Sequence, residues 1–137
     1  MIPAARYVLE STLERDTNIF ELVVDTTQRI SISGTRRAIA VARDQAMHGM
    51  KVVLVEAPRP RSILGPMFGV SADAAGLYEM IQPPPRNRFD TIYPTGTKNL
   101  YFVPSGDCRF RPTIWEMDWL RDRLEQHFNC IVTEYDD

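Results

Sequence analysis

The chain has 137 residues, 44% of them hydrophobic and 25% charged, which is the balance of a globular domain with a core of its own. Its 16 basic and 18 acidic residues give a net charge of −2, which argues against general binding to nucleic acid or to an anionic membrane surface. The apolar runs are too short to span a bilayer, and Cys108 and Cys130 form neither a disulfide framework nor a metal-ligand spacing. We therefore expect one cytoplasmic domain over residues 1–137 with reduced thiols.

Helical and strand patterns alternate along the chain. Apolar residues recur at helical spacing in four segments, and Thr113 with Glu116 predicts a capping box at the start of the last one. The predicted helices cover residues 3–23, 36–48, 74–81 and 113–127, and the predicted strands cover residues 29–33, 51–56, 99–103 and 129–134. Together these segments predict an α/β fold with an open, mostly parallel sheet of about four strands flanked by helices.

The turn between the first strand and the next helix bears most on function. A strand, a Gly turn, an Ala-rich helix and a second strand that ends in Glu56 are how a nucleotide-binding α/β domain begins. A Walker A loop, however, requires G-x-x-x-x-G-K-[ST], so that backbone N–H groups and a Lys hold the phosphates and a hydroxyl holds magnesium. Here Gly34 stands alone before Thr35, and there is no Lys. The G-x-G-x-x-G fingerprint also fails, because Arg36 and Ile39 occupy its later Gly positions.

Three further segments carry a family resemblance. Residues 49–62, with 67–70 and 76–77, look like a Walker A′ segment "KVLLIDADLRRP" followed by "LFGV" and "GL". Residues 94–106 look like "PTGxxNLxVLPAG", and residues 128–136 stand where a Walker B segment "FDYVIIDTPP" would be. In this order and at these distances, the segments resemble the cytoplasmic catalytic domain of the bacterial tyrosine kinases of capsular and exopolysaccharide synthesis, relatives of the ParA and MinD ATPases. The resemblance implies a P-loop-NTPase-like fold that is truncated after the Walker B strand.

The catalytic residues of that family are mostly not retained in this chain. Counting back from Gly49, the resemblance puts Gly34 at the family's phosphate-contacting Lys and Thr35 at its magnesium-binding hydroxyl. The two Walker A′ acids become Glu56 and Pro58, and the Walker B Asp becomes Glu134. Because magnesium demands near-ideal octahedral geometry, a lengthened carboxylate without a phosphate beside it is a poor site. These losses imply that ATP and Mg²⁺ binding has been lost, that no metal or other cofactor is held, and that no phosphoryl transfer occurs.

Four arginines are candidates for anion binding. Arg36 and Arg37 open a predicted helix, and Arg59 and Arg61 follow the second strand, so both pairs should lie at the carboxyl ends of neighbouring strands. Arginine guanidinium groups match phosphates and carboxylates in shape and charge. The alternative is that all four are solvated loop arginines. Glu56 also has two interpretations: it is either a retained ligand or a solvated acid at the end of a strand.

A further group of residues bears on interactions. The family's oligomerisation motif, E-x-x-R-x-x-R, corresponds to Glu10, Leu13 and Asp16, of which only the Glu is retained. Trp115 and Trp119 are four residues apart on one predicted helix, where they either stack on a ligand or pack in the core or in an interface. A sheet that stops after the Walker B strand leaves its first strand at an exposed edge, which a second copy or another protein would cover.

The resemblance implies a catalytically inactive, tyrosine-kinase-like scaffold or regulatory subunit of a bacterial exopolysaccharide synthesis or export assembly. Its partners would be a second copy or other polysaccharide-synthesis proteins, and a membrane-embedded partner would recruit it from the cytoplasm to the inner membrane. Two alternatives stay open. One is a residual nucleotide-binding ATPase or kinase that uses the arginine-rich loops, and the other is a positioning protein like ParA or MinD.

Overall fold

The computed structural model describes residues 27–82, 89–109 and 111–135. The predicted helix over residues 3–23, with Glu10 and Leu13, lies outside the described residues, so the expectations for it stay predictions. Within the described ranges, no helix is both long and apolar enough to cross a bilayer. Cys108 and Cys130 are both buried and are not disulfide-bonded. Burial raises the pKa of the Cys130 thiol to about 12, which keeps this thiol protonated.

The described residues form one five-stranded sheet with the strand order β1-β5-β2-β4-β3. All neighbouring strands are parallel except β3 and β4, which are antiparallel. The strands are β1 (Gln28–Ser33), β2 (Val52–Val55), β3 (Tyr93–Pro94), β4 (Leu100–Val103) and β5 (Cys130–Tyr135). The mostly parallel α/β sheet and its four predicted strands are confirmed. The fifth strand, β3, was not predicted, because two residues that include a proline give no strand pattern.

Helices cover both faces of this sheet. They are α1 (Thr35–Met47), α2 (Leu77–Ile81) and α3 (Ile114–Glu125). Alternate residues of a strand point to opposite faces, so Val52 and Leu54 pack in the core beneath α1, whereas Val53 and Val55 pack in the core beneath α2 and α3. All four residues of β2 are therefore fully buried, which explains its unbroken apolar sequence.

The ends of the helices follow from local sequence. Gly34 precedes α1 with a φ of 96°, a conformation that favours glycine. The predicted capping box of α3 is present: the Thr113 hydroxyl accepts the Glu116 N–H at 3.1 Å, and the Glu116 carboxylate accepts the Thr113 N–H at 2.7 Å. Ile114 lies on the apolar stripe of the predicted helix over residues 113–127, and this stripe predicts a buried side chain. Ile114 is instead 76% exposed, because only later residues such as Leu120 reach the sheet.

Strand β1 lies at an edge of the sheet. It pairs with β5 on one side, and among the described residues no strand pairs with its other side. Arg29 of β1 contacts Asp122 and Glu125 of α3, which fastens the strand to that helix. The sequence-based expectation of an edge strand therefore agrees with the order of the strands.

Candidate functional site

The carboxyl ends of β2 and β5 bring two acidic side chains together. Glu56 directly follows β2, and Glu134 is the fifth residue of β5, the strand beside it. Each residue is only 1% exposed. The alternative in which Glu56 is a solvated acid is therefore wrong. A buried carboxylate has to be paired or hydrogen-bonded, so its partners define what this site can do.

Arg59 is the cation that pairs with both acids. Its Nη1 donates to Glu134 Oε1 at 2.8 Å and to Glu56 Oε2 at 3.0 Å, and its Nη2 donates to Glu134 Oε2 at 2.9 Å. The contact with Glu134 is thus bidentate, which is the strongest geometry for an arginine–carboxylate pair. Arg59 is itself only 9% exposed. We call Glu56, Arg59 and Glu134 the ion cluster.

Backbone and hydroxyl groups complete the coordination of Glu56. Its Oε1 accepts the Ser62 hydroxyl at 2.6 Å and the Ser105 N–H at 3.0 Å. Its Oε2 accepts the N–H groups of Ile63 and Leu64, at 2.8 and 2.9 Å, in addition to Arg59. Five donors therefore surround a carboxylate that has about four lone-pair sites. The sequence analysis missed Ser62 and Ser105, and the only signal for them was their place in the two matched segments.

Glu134 has an equally complete set of partners. In addition to Arg59, it accepts the Ala57 N–H at 3.0 Å and the Thr35 hydroxyl at 2.9 Å. Burial opposes the ionisation of Glu134, but the hydrogen bonds that it accepts, chiefly from Arg59, outweigh burial and lower its pKa from the usual 4.5. The bond from Thr35 links the start of α1 to the ion cluster. Thr35 thus contacts the acid at the Walker B position directly.

Magnesium, which the fold family implies, does not fit between these two carboxylates. Every oxygen of Glu56 and Glu134 already accepts at least two hydrogen bonds, and the Arg59 guanidinium lies between the two carboxylates. Magnesium would have to displace an ion-paired guanidinium and keep octahedral geometry in a dehydrated site. Within residues 27–82, 89–109 and 111–135, no group of three or more His, Cys, Asp and Glu side chains has the geometry to hold a metal ion.

The four candidate anion-binding arginines are not brought together. Arg59 lies inside the ion cluster, so the expectation that it faces an external anion has to be revised: its partners are internal carboxylates. Arg61 is exposed and pairs with Asp73 at 2.9 and 3.1 Å. Arg36 and Arg37 are exposed at the first turn of α1, and neither pairs with an acid among the described residues. These two arginines alone still match the expected arrangement of open cations at a helix N-terminus.

The remaining candidates have separate environments. Pro58, at the position of the second Walker A′ acid, is partly buried and lines a cavity beside the ion cluster. Trp115 is 82% exposed, whereas Trp119 packs partly buried against the core beneath α3. The two tryptophans are therefore not equivalent. Trp119 packs against the core, and Trp115 is exposed to solvent.

Comparisons with known proteins agree with this fold. No protein-family model and no curated protein matches the chain. Among solved structures, the chimerical protein CapA2B2 is similar with a TM-score of 0.68 and 21% identity, over 88% of this chain and 57% of that one. The kinase domain of the Escherichia coli tyrosine kinase ETK has a TM-score of 0.57 at 13% identity, over 88% and 50%. The cell division ATPase MinD of Pyrococcus furiosus has a TM-score of 0.52 at 20% identity, over 79% and 49%.

The class of fold follows from these matches. The chain has the fold that bacterial tyrosine kinase domains share with MinD-type P-loop ATPases, as the sequence resemblance implied. It spans about half to three fifths of the length of these structures. At identities of 13 to 21%, the likeness establishes the fold and leaves function to be argued from the site.

Proposed function

We propose that the protein is a catalytically inactive, tyrosine-kinase-like scaffold or regulatory subunit of a bacterial exopolysaccharide synthesis or export assembly. The observation that carries this proposal is the position of Arg59. Its guanidinium joins the two acids, Glu56 and Glu134, that match the family's magnesium-handling carboxylates. The acids are thereby used for internal pairing, and they are not available to position a metal or a nucleophile.

Electrostatics also support the absence of turnover. The ion cluster contains two carboxylates and one guanidinium, so one net negative charge remains, and N–H and hydroxyl dipoles of the described residues stabilise it. Phosphoryl transfer depends on positioning and on neutralising the phosphate charge, and a cluster with a net negative charge does not supply that neutralisation. The single-glycine turn before α1 adds no phosphate loop. In this proposal the protein acts by binding partner proteins and not by catalysis.

The proposed partner covers the edge strand β1. Among the described residues no strand pairs with the outer side of β1, and proteins usually cover or pair such an edge. A second copy of the chain or another protein of the assembly would serve, and a membrane-embedded partner would hold this cytoplasmic protein at the inner membrane. Light scattering tests the first option, because a monomer at high concentration contradicts a self-paired sheet.

Calorimetric titration with Mg–ATP and Mg–ADP tests the inactive site. We expect no binding with a Kd tighter than about 1 mM, the regime of about −4 kcal/mol. The specific alternative is a residual nucleotide-binding protein, which is favoured by the open Arg36 and Arg37 at the start of α1. Micromolar binding that is lost in the Arg36→Gln/Arg37→Gln double variant would establish that alternative and contradict the proposal.

Genetic context and complementation test the proposed assembly. Glycosyltransferase genes beside this gene favour the polysaccharide assembly, whereas division genes favour a positioning protein like MinD. In a host that loses polymer output when the gene is deleted, a scaffold without turnover predicts full complementation by the Thr35→Val variant, which lacks the hydroxyl at the magnesium position. Failure of that variant, at normal protein levels, would contradict a role without nucleotide chemistry.

A further inference from the structure

A cavity of about 280 Å³ opens beside the ion cluster, at the carboxyl ends of β2 and β5. Its inner surface includes Ala57 and Cys108, which are 1% and 2% exposed. Pro60 and Tyr135, both exposed, contribute to its outer walls. In open α/β sheets, ligands bind in the crevice at the carboxyl ends of the strands, which is where this cavity lies. Its chemistry differs from that of the ion cluster, because its walls are mainly apolar.

The walls of the cavity are fixed by the ion cluster. Pro58 and Pro60 line the cavity, while the side chain of Arg59 between them points inward to the two carboxylates. The Arg59 carbonyl accepts the Cys108 N–H at 2.9 Å, which ties the opposite wall to the same residue. One buried arginine thus holds both sides of the cavity. Because the walls are held before any ligand enters, binding does not have to order them.

The lining defines the class of ligand. The two prolines and Tyr135 contribute apolar surface, against which a planar ring of a ligand can pack. Two arginines stand at the opening: Arg109 pairs with Asp107 at 2.8 Å, whereas Arg111 has no acidic partner among the described residues. A volume slightly below the usual range for ligand sites, about 300–1,000 Å³, suits a ligand with one ring. The Arg111 guanidinium at the opening can therefore pair with an anionic group of the ligand.

We propose that this cavity binds a small aromatic carboxylate, with its ring packed against Pro58, Pro60 and Tyr135 and its carboxylate paired with Arg111. The proposal does not depend on the role of the protein in an assembly, since it rests on the cavity and its lining. The proposed small-molecule site lies beside the ion cluster at the carboxyl ends of β2 and β5, where open α/β sheets usually bind their ligands.

A titration followed by two-dimensional ¹H–¹⁵N NMR tests the site with three probes. Sodium benzoate carries both a ring and an anion, sodium acetate only the anion, and benzyl alcohol only the ring. We expect benzoate to bind with a millimolar or lower Kd and to shift the amide signals of residues 57, 59, 108, 109, 111 and 135. Each of the other probes should bind at least about tenfold more weakly, since losing one good contact costs about 1.4 kcal/mol.

Three variants separate the ring contact from the charge contact. Arg111→Gln should weaken benzoate about tenfold and leave benzyl alcohol unchanged. Tyr135→Ala should weaken both ring probes. Lys98→Gln is the matched control, because it also removes one positive charge. Lys98 lies in the turn before β4, at the amino ends of the strands, whereas the cavity lies at their carboxyl ends. Unchanged NMR spectra elsewhere would verify the fold of each variant.

The site is contradicted by either of two results. One is the absence of shifts around the cavity at 10 mM benzoate, since a ligand with a millimolar Kd would occupy most of the sites at that concentration. The other is an equal loss of benzoate binding in Arg111→Gln and Lys98→Gln, which would show attraction by overall charge and no defined site.

Discussion

Two turns at the same edge of the sheet have opposite character. The turn after β1 leads into the first turn of α1, where Arg36 and Arg37 are exposed and have no acidic partners among the described residues. The turn after β2 carries Arg59, which is buried between two carboxylates. The sequence resemblance places both turns in the catalytic centre of a kinase. The first turn has one glycine and no Lys, and in the second the Arg59 guanidinium lies between two carboxylates.

The difference shows that arginines in similar loops can have unlike roles. An arginine at the surface interacts mostly with water, so its loss changes little. An arginine that neutralises buried acids holds several segments at once, here the ends of β2 and β5 and the start of α1. The following three substitutions test this contrast, from the largest expected effect to the smallest.

Replacing Arg59 should have the largest effect on stability. Arg59→Ala leaves Glu56 and Glu134 buried without their cation, and breaking a buried ion pair typically costs about 3–5 kcal/mol. Urea unfolding, followed by circular dichroism, measures this change. The matched control is Arg61→Ala, two residues away, whose side chain is 68% exposed and should tolerate the change with little effect. Equal effects of the two substitutions would contradict the contrast between the turns.

Replacing Glu134 should have an intermediate effect that depends on pH. Glu134→Gln loses charge-assisted hydrogen bonds, each worth about 1.5–3 kcal/mol, so the variant should be less stable at pH 7. Because the pKa of Glu134 is lowered in the folded state, its contribution is present above pH 4.5 and is lost as the pH falls through the folded pKa. The gap between wild type and variant should therefore narrow in acid.

Urea unfolding at pH 7 and at about pH 3 checks this dependence. Asp73→Asn is the control, because the Asp73 carboxylate also pairs with an arginine but is 71% exposed. A gap that stays constant with pH would mean that the negative charge of Glu134 does not stabilise the fold.

Replacing the two open arginines should have the smallest effect, and of opposite sign. Arg36 and Arg37 lie in the first turn of α1, where the helix dipole disfavours positive charge. Arg36→Gln/Arg37→Gln should therefore leave stability unchanged or raise it by up to about 1 kcal/mol. Thermal unfolding measures this, with Arg43→Gln on the same helix as the control. A clear loss of stability would reveal that the two arginines have internal partners.

Much of the fold was predictable because strong local patterns specify it. The β-branched run of β2, the capping box of Thr113 and Glu116, and the glycine before α1 each have one usual structural meaning. Strand β3 and the exposure of Ile114 were not predicted, because both depend on which part of a segment reaches the rest of the molecule.

The three residues of the ion cluster could be identified from the sequence, but the ion pairs between them could not. The sequence identified Glu56, Arg59 and Glu134 separately, but β5 lies between β1 and β2, and only this order puts Glu134 beside the end of β2. From the sequence alone, an arginine between two prolines is expected to be solvated, because the sequence does not show that Glu134 lies beside it. The cavity depends on the same long-range arrangement, so the lining residues Cys108, Arg111 and Tyr135 gave no local signal.

The strand order also has a consequence for how the chain folds. β1 and β2 have no hydrogen bonds to each other, since both pair with β5, which lies about a hundred residues after β1 along the chain. During synthesis, β1, α1 and β2 therefore leave the ribosome without the strand that joins them. We expect this early segment to depend on a holding factor or on rapid completion of translation. Released chains that end before residue 130 should be far more sensitive to protease than released chains that include β5.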